Sequence, residues 1–349
     1  NPSLNNEYEN QVILITGAAG SIGSEIARKI NNYSYKKLIL IDSAESALYD
    51  LQQEFIQNGI KNFIAIVADV RDYGRMEYLF NVYKPKIVFH AAAYKHVPLM
   101  ENNPYEAVSV NIRGTKNIAS LAVRHSIAKF VLISTDKAVN PTNVMGASKR
   151  IAELYVNCLK GKGQTKFITT RFGNVLGSNG SVIPLFKRQI EAGGPLTVTH
   201  KEITRYFMTI SEACQLVLEA ATMGNGGEIF VFDMGKSIKI FDLAKNMIIL
   251  SGLQYPEDVD IKITGLRPGE KIFEELLADG ENTIPTYHEK IMIAKTKQVN
   301  IAEDTESRIL NLCNINSKTQ TLEIVSLIKE IIPEYISNNS KFEVLDSKK

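Results

Sequence analysis

Along the first half of the chain, short runs of apolar, largely β-branched residues alternate with stretches whose apolar positions recur at helical spacing. Residues 12–16, 37–42, 63–67, 87–90, 130–134 and 167–170 read as strands. Residues 21–31, 44–57, 73–82, 104–125 and 144–159 between them read as helices. Strands with no alternating polar face are buried on both sides, as in a parallel sheet covered by helices. The strict βα alternation therefore predicts an α/β class, a Rossmann-type doubly wound parallel sheet with right-handed crossovers. After Arg171 the pattern loosens, with glycines and prolines gathered at 173–180, 193–195, 224–227 and 265–269. Helices are expected there at 183–191, 211–223, 240–250 and 319–331, with a strand at 229–232 rejoining the main sheet. The division that follows is a disordered lead-in (1–10), the Rossmann-type domain (11–172), a smaller C-terminal lobe (173–335) and a frayed polar tail (336–349). There is no internal repeat of the length that marks a solenoid.

Composition narrows the class. The chain has 349 residues, 44% hydrophobic and 22% charged, which fits a soluble globular protein and not a disordered or fibrous one. The formal charge of +2 excludes the basic excess of a general nucleic-acid binder. No apolar run reaches the roughly 18 residues that would span a bilayer. Cys158, Cys214 and Cys313 are far apart and form no CxxC pair. That leaves neither a disulfide scaffold nor a zinc signature, and no metal site is expected. Thiols so used suit a reducing, cytoplasmic compartment. The chain opens Asn1-Pro2-Ser3 with no initiator Met and no signal-peptide pattern, so a processed or excised piece of a longer protein is expected.

Thr16-Gly17-Ala18-Ala19-Gly20-Ser21-Ile22-Gly23 follows the first strand and opens the first helix. Glycine is needed where the turn is tight, where phosphate meets bare backbone, and where helix packs on strand. The helix N-terminus adds free N–H groups and a positive dipole end for a pyrophosphate. A strand before and a helix after are the context a dinucleotide site requires. Gly17, Gly20, Ser21, Ile22 and Gly23 are thus the expected cofactor cradle. Asp42 closes the second strand, where a carboxylate accepts the ribose hydroxyls of NAD and repels the 2′-phosphate of NADP. Ser43 and Ala44 bring no arginine, so NAD is favoured over NADP. The plainer reading of Asp42 is a cap on the next helix. Asp69 and Val70 are expected to flank the adenine, and Ala91, Ala92 and Ala93 to give a flat cofactor clearance.

The fifth strand runs into Ser134-Thr135-Asp136-Lys137-Ala138-Val139-Asn140-Pro141, then Thr142-Asn143-Val144-Met145-Gly146-Ala147-Ser148-Lys149. The glycine pattern, the three alanines, a Ser/Thr after strand five and a lysine on the next helix resemble the extended short-chain dehydrogenase/reductases. Most members carry Tyr-x-x-x-Lys; here Met145 holds the tyrosine position before Lys149, and methionine has no ionisable proton. The run 134–150, with AAAYKHVPLME at 91–101 and LRPGEK at 266–271, closely resembles the UDP-N-acetylglucosamine 4,6-dehydratases of polysaccharide biosynthesis, in particular the branch with Met for Tyr. The likeness covers about residues 10–295.

The resemblance implies a hydro-lyase reaction. Hydride passes from carbon 4 to NAD, water is eliminated across carbons 5 and 6, and hydride returns to carbon 6, giving a UDP-4-keto-6-deoxy-N-acetylhexosamine for capsule, O-antigen or glycan synthesis. It implies Asp136 as the acid for the departing hydroxyl and Lys137 as the base at carbon 5, the two roles being open to exchange or sharing, with Thr135 on the carbon-4 hydroxyl and Lys149 on the nicotinamide ribose. For Lys137 to act as a base its pKa must fall, which burial and neighbouring Lys149 would favour. Asn111 resembles the family asparagine that supports the active-site strand and is counted with the cofactor set. Lys95 is expected at the sugar; His90 and His96 read as structural. For the nucleotide sugar the resemblance implies Arg171, Asn174, Ser181 and Val182 at the diphosphate and sugar, Leu196, Thr197 and Thr199 at uracil, Arg205 at phosphate, and Arg267 and Glu270 at pyrophosphate and ribose. Retention at carbon 5, a homo-oligomer and a membrane anchor in the parent protein are expected with it. The rival readings are a nucleotide-sugar 4-epimerase, which normally needs the missing tyrosine, and a non-catalytic NAD-binding protein.

Overall fold

The computed structural model describes residues 2–277, 282–295 and 304–346. Nine strands form one sheet: β1 (Val12–Thr16), β2 (Lys37–Asp42), β3 (Phe63–Val67), β4 (Ile87–His90), β5 (Lys129–Ile133), β6 (Lys166–Arg171), β7 (Glu228–Phe232), β8 (Asn282–Pro285) and β9 (Ile291–Lys295). Their order is β8-β9-β7-β6-β5-β4-β1-β2-β3. The first seven run parallel, and β9 is antiparallel to both β7 and β8. The winding direction reverses between β1 and β4, which opens a crevice at their C-terminal ends. The expected strand at 229–232 is β7, beside β6; the β8–β9 hairpin extends the sheet beyond it.

The helices are α1 (Pro2–Tyr8), α2 (Ser21–Ile30), α3 (Glu45–Gln57), α4 (Tyr73–Tyr83), α5 (Val97–Asn102), α6 (Pro104–Ala107), α7 (Thr115–Arg124), α8 (Val144–Cys158), α9 (Val182–Glu191), α10 (Ile210–Met223), α11 (Ile240–Leu250), α12 (Thr305–Cys313) and α13 (Thr321–Ile331). Side chains alternate across the sheet. Leu14, Val88 and Phe130 pack under α8, α12 and α13, whereas Ile13, Ile15 and Phe89 pack under α2 and α10. A separate cluster of Phe186, Leu196, Val198, Ile240 and Ile261 forms the core of the smaller lobe. The single helix expected at 104–125 is α6, a π-helical stretch (Val108–Gly114) and α7. No helix among the described residues is long and apolar enough to cross a membrane.

Two expectations about the ends are overturned. The expected disordered lead-in is helical over Pro2–Tyr8: α1 buries Leu4 and Tyr8, one helical turn apart, against α10. Tyr8 Oη donates to the Leu218 carbonyl at 3.1 Å, and Glu7 pairs with buried Lys129 at 2.8 Å. The polar tail is not frayed through residue 346 either. Phe342 is fully buried, and Ser340 Oγ donates to the buried Glu101 carboxylate at 2.7 Å.

Arg171 is the third correction. It ends β6 with its side chain 1% exposed, and its guanidinium donates to both oxygens of Glu153 on α8, at 2.9 and 2.7 Å. Burial alone would raise the Glu153 carboxyl, but Arg171, Arg150 and the Ser134 hydroxyl hold it down at about 2. A guanidinium closed in this way is a strut between β6 and α8, and no diphosphate reaches it. Removing one partner of such a buried pair leaves an uncompensated charge. Arg171→Ala should therefore lower the unfolding free energy by about 3–5 kcal/mol, read by urea denaturation. A fold of wild-type stability with weakened UDP binding would restore the diphosphate role.

Candidate active site

The crevice above β1, β4, β5 and β6 is a cavity of about 860 Å³, in the range that holds a cofactor with its substrate. Its floor on one side is the glycine turn between β1 and α2. Gly17 has φ of +67°, and a Cβ there would stand 2.5 Å from the Ala92 nitrogen. A Cβ on Gly23 would stand 2.1 Å from the Gly17 carbonyl oxygen. The turn is therefore closed to any larger residue, and Gly20, Ser21 and Ile22 line the cavity beside it. Asp42 accepts the Ala19 N–H on one carboxylate oxygen and the Ala44 N–H on the other, both at 2.9 Å. It ties the turn to Ala44, the residue before α3, and is not among the residues that line the cavity. Ala91 and Ala93 line the cavity, whereas Ala92 supplies only the backbone that packs on Gly17. Asp69 binds Arg71, Val70 is buried beneath Gly114, and neither lines the cavity.

Asn111 corrects the cofactor set. Its amide, fully buried in the π-helical stretch, accepts from the Tyr94 N–H at 2.8 Å and donates to the Tyr94 carbonyl and Ser148 Oγ at 2.9 Å. It positions the segment after β4 and touches no ligand space. His90 is likewise structural. Thr16 and Thr115 hydroxyls engage its two ring nitrogens at 2.7 and 3.0 Å, and burial, aided by Lys149, pushes its pKa down to about 3. His96 lies over Gly180, where a Cβ would meet its Cε1 at 2.4 Å.

The turn after β5 brings a hydroxyl, a carboxylate and an ammonium together. Thr135 Oγ1 donates to Asp136 Oδ1 at 2.8 Å, and Lys137 Nζ donates to the same oxygen at 3.0 Å. Lys137 also reaches Asn174 Oδ1 at 3.2 Å and Glu274 Oε1 at 3.6 Å. Burial alone would depress Lys137, and Arg205 acts in the same sense. Asp136 and Glu274 outweigh both, so its pKa lies above the ordinary lysine value. The expectation of a lowered pKa is overturned: Lys137 is an ammonium. Met145, 3% exposed, occupies the cavity wall below, and one turn later Lys149 donates to the Ile133 carbonyl at 2.7 Å. Burial lowers the Lys149 pKa to about 8 against the opposing pull of Glu153. Lys95 reaches Ser178 Oγ at 3.4 Å, its pKa lowered by burial and by Lys137.

At the far end, Asn174, Ser181, Val182, Thr197, Thr199, Arg205, Arg267 and Glu270 all line the cavity. Ser181 stands at the start of α9, and its buried hydroxyl has no hydrogen-bond partner among the described residues. Leu196 is corrected: it is fully buried in the lobe core and does not face the cavity. Arg205 and Arg267 converge on Glu270 Oε1 at 3.6 and 3.4 Å. The loop that carries Arg267 is strapped down by the C-terminal segment. Gly269 N–H donates to the Asn338 carbonyl at 2.7 Å, and Asn338 Nδ2 donates to the Glu270 carbonyl at 2.9 Å. Sequence reasoning missed this strap and also Glu274, whose only signal was a second acid four residues after Glu270 in a region of cations.

Comparison with known proteins agrees with this architecture. A family model described as polysaccharide biosynthesis protein matches residues 13–296. The capsular polysaccharide biosynthesis protein CapD of Staphylococcus aureus is 51% identical over 93% of this chain and 54% of its own length. The chain thus spans about half the length of that relative. A UDP-N-acetylglucosamine 4,6-dehydratase (inverting) of Campylobacter jejuni is 33% identical over 87% of this chain and 88% of that protein. The X-ray structure of Pen from Bacillus thuringiensis superimposes with a TM-score of 0.76, at 35% identity, over 82% of this chain and 86% of that one. With the parallel strands and the glycine turn in place, these likenesses make the chain a member of the polysaccharide biosynthesis protein family.

Proposed function

We propose that this chain is an NAD-dependent 4,6-dehydratase of UDP-N-acetylglucosamine. One observation carries the reading above all: an ammonium, Lys137, lines the cavity and contacts at 3.0 Å the Asp136 carboxylate, which is buried behind that lining, where the tyrosine of hydroxyl-oxidising relatives is replaced by Met145. A single-step oxidation needs one base for one hydroxyl; a paired acid and base suits elimination.

The residues fit NAD. The glycine cradle leaves backbone N–H groups bare for a pyrophosphate, and Asp42 places a carboxylate at the end of β2. The redox chemistry, removal of hydride from carbon 4 and its return to carbon 6, is what NAD supplies when bound. The chain's own residues do the rest. Arg205, Arg267 and the start of α9 hold the diphosphate, arginine's planar fork suiting phosphate oxygens. Thr135 bonds the carbon-4 hydroxyl. The Asp136 carboxylate takes the carbon-5 proton, and the Lys137 ammonium protonates the carbon-6 hydroxyl so that it leaves as water. These roles reverse those implied by the sequence resemblance, because an ammonium has no lone pair to accept a proton. Asp136 then returns its proton to carbon 5 from the same face, which retains configuration. The proton of the carbon-4 hydroxyl passes by way of Thr135 to water, and water returns one to Lys137 after it has protonated the departing hydroxyl, so the cycle closes. The Campylobacter relative is named as inverting, so retention is this chain's point of difference.

Incubated with UDP-N-acetylglucosamine and NAD, the protein should yield a product lighter by one water in mass spectrometry. UDP-N-acetylgalactosamine as the product would make it an epimerase, and stoichiometric NAD binding without turnover a non-catalytic protein. Lys137→Ala and Asp136→Asn should each lower kcat by about 10²–10⁴-fold with NAD binding intact, while Met145→Leu keeps the wild-type order. Wild-type turnover in either of the first two removes the acid–base assignment. Activity should also fall as pH rises through about 8, where buried Lys149 gives up the charge that orients the ribose. A kcat/KM profile flat across that range contradicts the Lys149 role.

A further inference from the structure

The cavity holds a carboxylate that neither the acid–base pair nor the diphosphate site accounts for. The Glu274 side chain is 4% exposed and lines the cavity. Its Oε1 lies 3.6 Å from Lys137 Nζ and 3.8 Å from Arg205 Nε. Its Oε2 is buried and has no hydrogen-bond partner among the described residues. Buried polar atoms are nearly always satisfied, so an unmet acceptor on a cavity wall marks where a ligand donor belongs. Asp136 Oδ2 is equally buried and has no hydrogen-bond partner among the described residues. Arg205 belongs to the diphosphate end of the site and Lys137 to the reacting carbons. A carboxylate that bridges the two faces the pyranose between them, whose hydrogen-bond donors are its hydroxyls and the carbon-2 acetamido N–H.

We propose that Glu274 reads the sugar: Oε2 accepts a hydrogen bond from a pyranose hydroxyl while Oε1 aims the Lys137 ammonium at the reacting carbons. This rests on the dehydratase reading above. A residue with this role acts on the sugar and not on the nucleotide, because UDP alone has no pyranose to offer.

The test is a steady-state comparison of wild type, Glu274→Ala and Glu274→Gln in the NAD-loaded protein, with UDP as a competitive inhibitor. Glu274→Ala should raise KM for UDP-N-acetylglucosamine by about tenfold and lower kcat by at least that factor, with Ki for UDP changed less than about twofold. Glu274→Gln keeps the shape and an acceptor oxygen but loses the charge, so its kcat should fall with a smaller rise in KM; it decides the matter if the alanine variant does not fold. KM and Ki rising in proportion, or neither parameter moving, overturns the proposal. A wild-type protein that does not turn over UDP-N-acetylglucosamine fails the dehydratase reading instead, before either variant is compared.

Discussion

A buried ammonium held between two carboxylates is the constraint on which the site depends. Taking a charge out of water costs several kcal/mol unless partners replace the solvent. Lys137 meets that requirement with Asp136 on its own turn, Asn174 after β6 and Glu274 from the smaller lobe. Three separate regions of the chain must therefore converge before the lysine is stable where it is. The convergence positions Arg205 as well, because Glu274 and Glu270 bind it from the same loop. Electrostatics links Arg205 to Lys137 through Glu274.

The scaffold supports this with a second, deeper network. Glu153, Arg171, Arg150 and Ser134 lock α8 to the ends of β5 and β6, so the turn after β5 and the lysine on α8 keep a fixed spacing. Glu101 does the same for the start of α8, accepting the Val144 N–H at 2.6 Å and the Ser340 hydroxyl at 2.7 Å. Through Ser340 and Asn338 the C-terminal segment reaches the loop that carries Arg267. The loop that carries Arg267 and the start of α8 are thus anchored by the same stretch of chain, residues 338–340.

What was legible in the sequence was local. β1, β2, β4 and β5 announce themselves because strands buried on both faces are nearly unbroken apolar runs, and the glycine turn because close backbone approach admits nothing else. What was not legible depended on contacts distant in sequence. α1 is polar but for Leu4 and Tyr8, which acquire meaning only against α10. Arg171 read as a ligand for phosphate because arginine beside a glycine loop invites that reading; its strand position turns it instead onto Glu153. The sign of the Lys137 shift was misjudged for the same reason. Burial was visible from the apolar surroundings, but Glu274, 137 positions away, was not visible as a neighbour.

The charge of Lys137 is the claim from which the acid–base roles and the place of Glu274 follow, and it is open to direct measurement. Lysine side chains labelled at Cε can be titrated by NMR, with Lys137 assigned from a Lys137→Arg variant. The Lys137 resonance should stay that of an ammonium as pH rises past the ordinary lysine value of 10.5. A neutral amine at pH 8 would contradict the account and return the base at carbon 5 to Lys137.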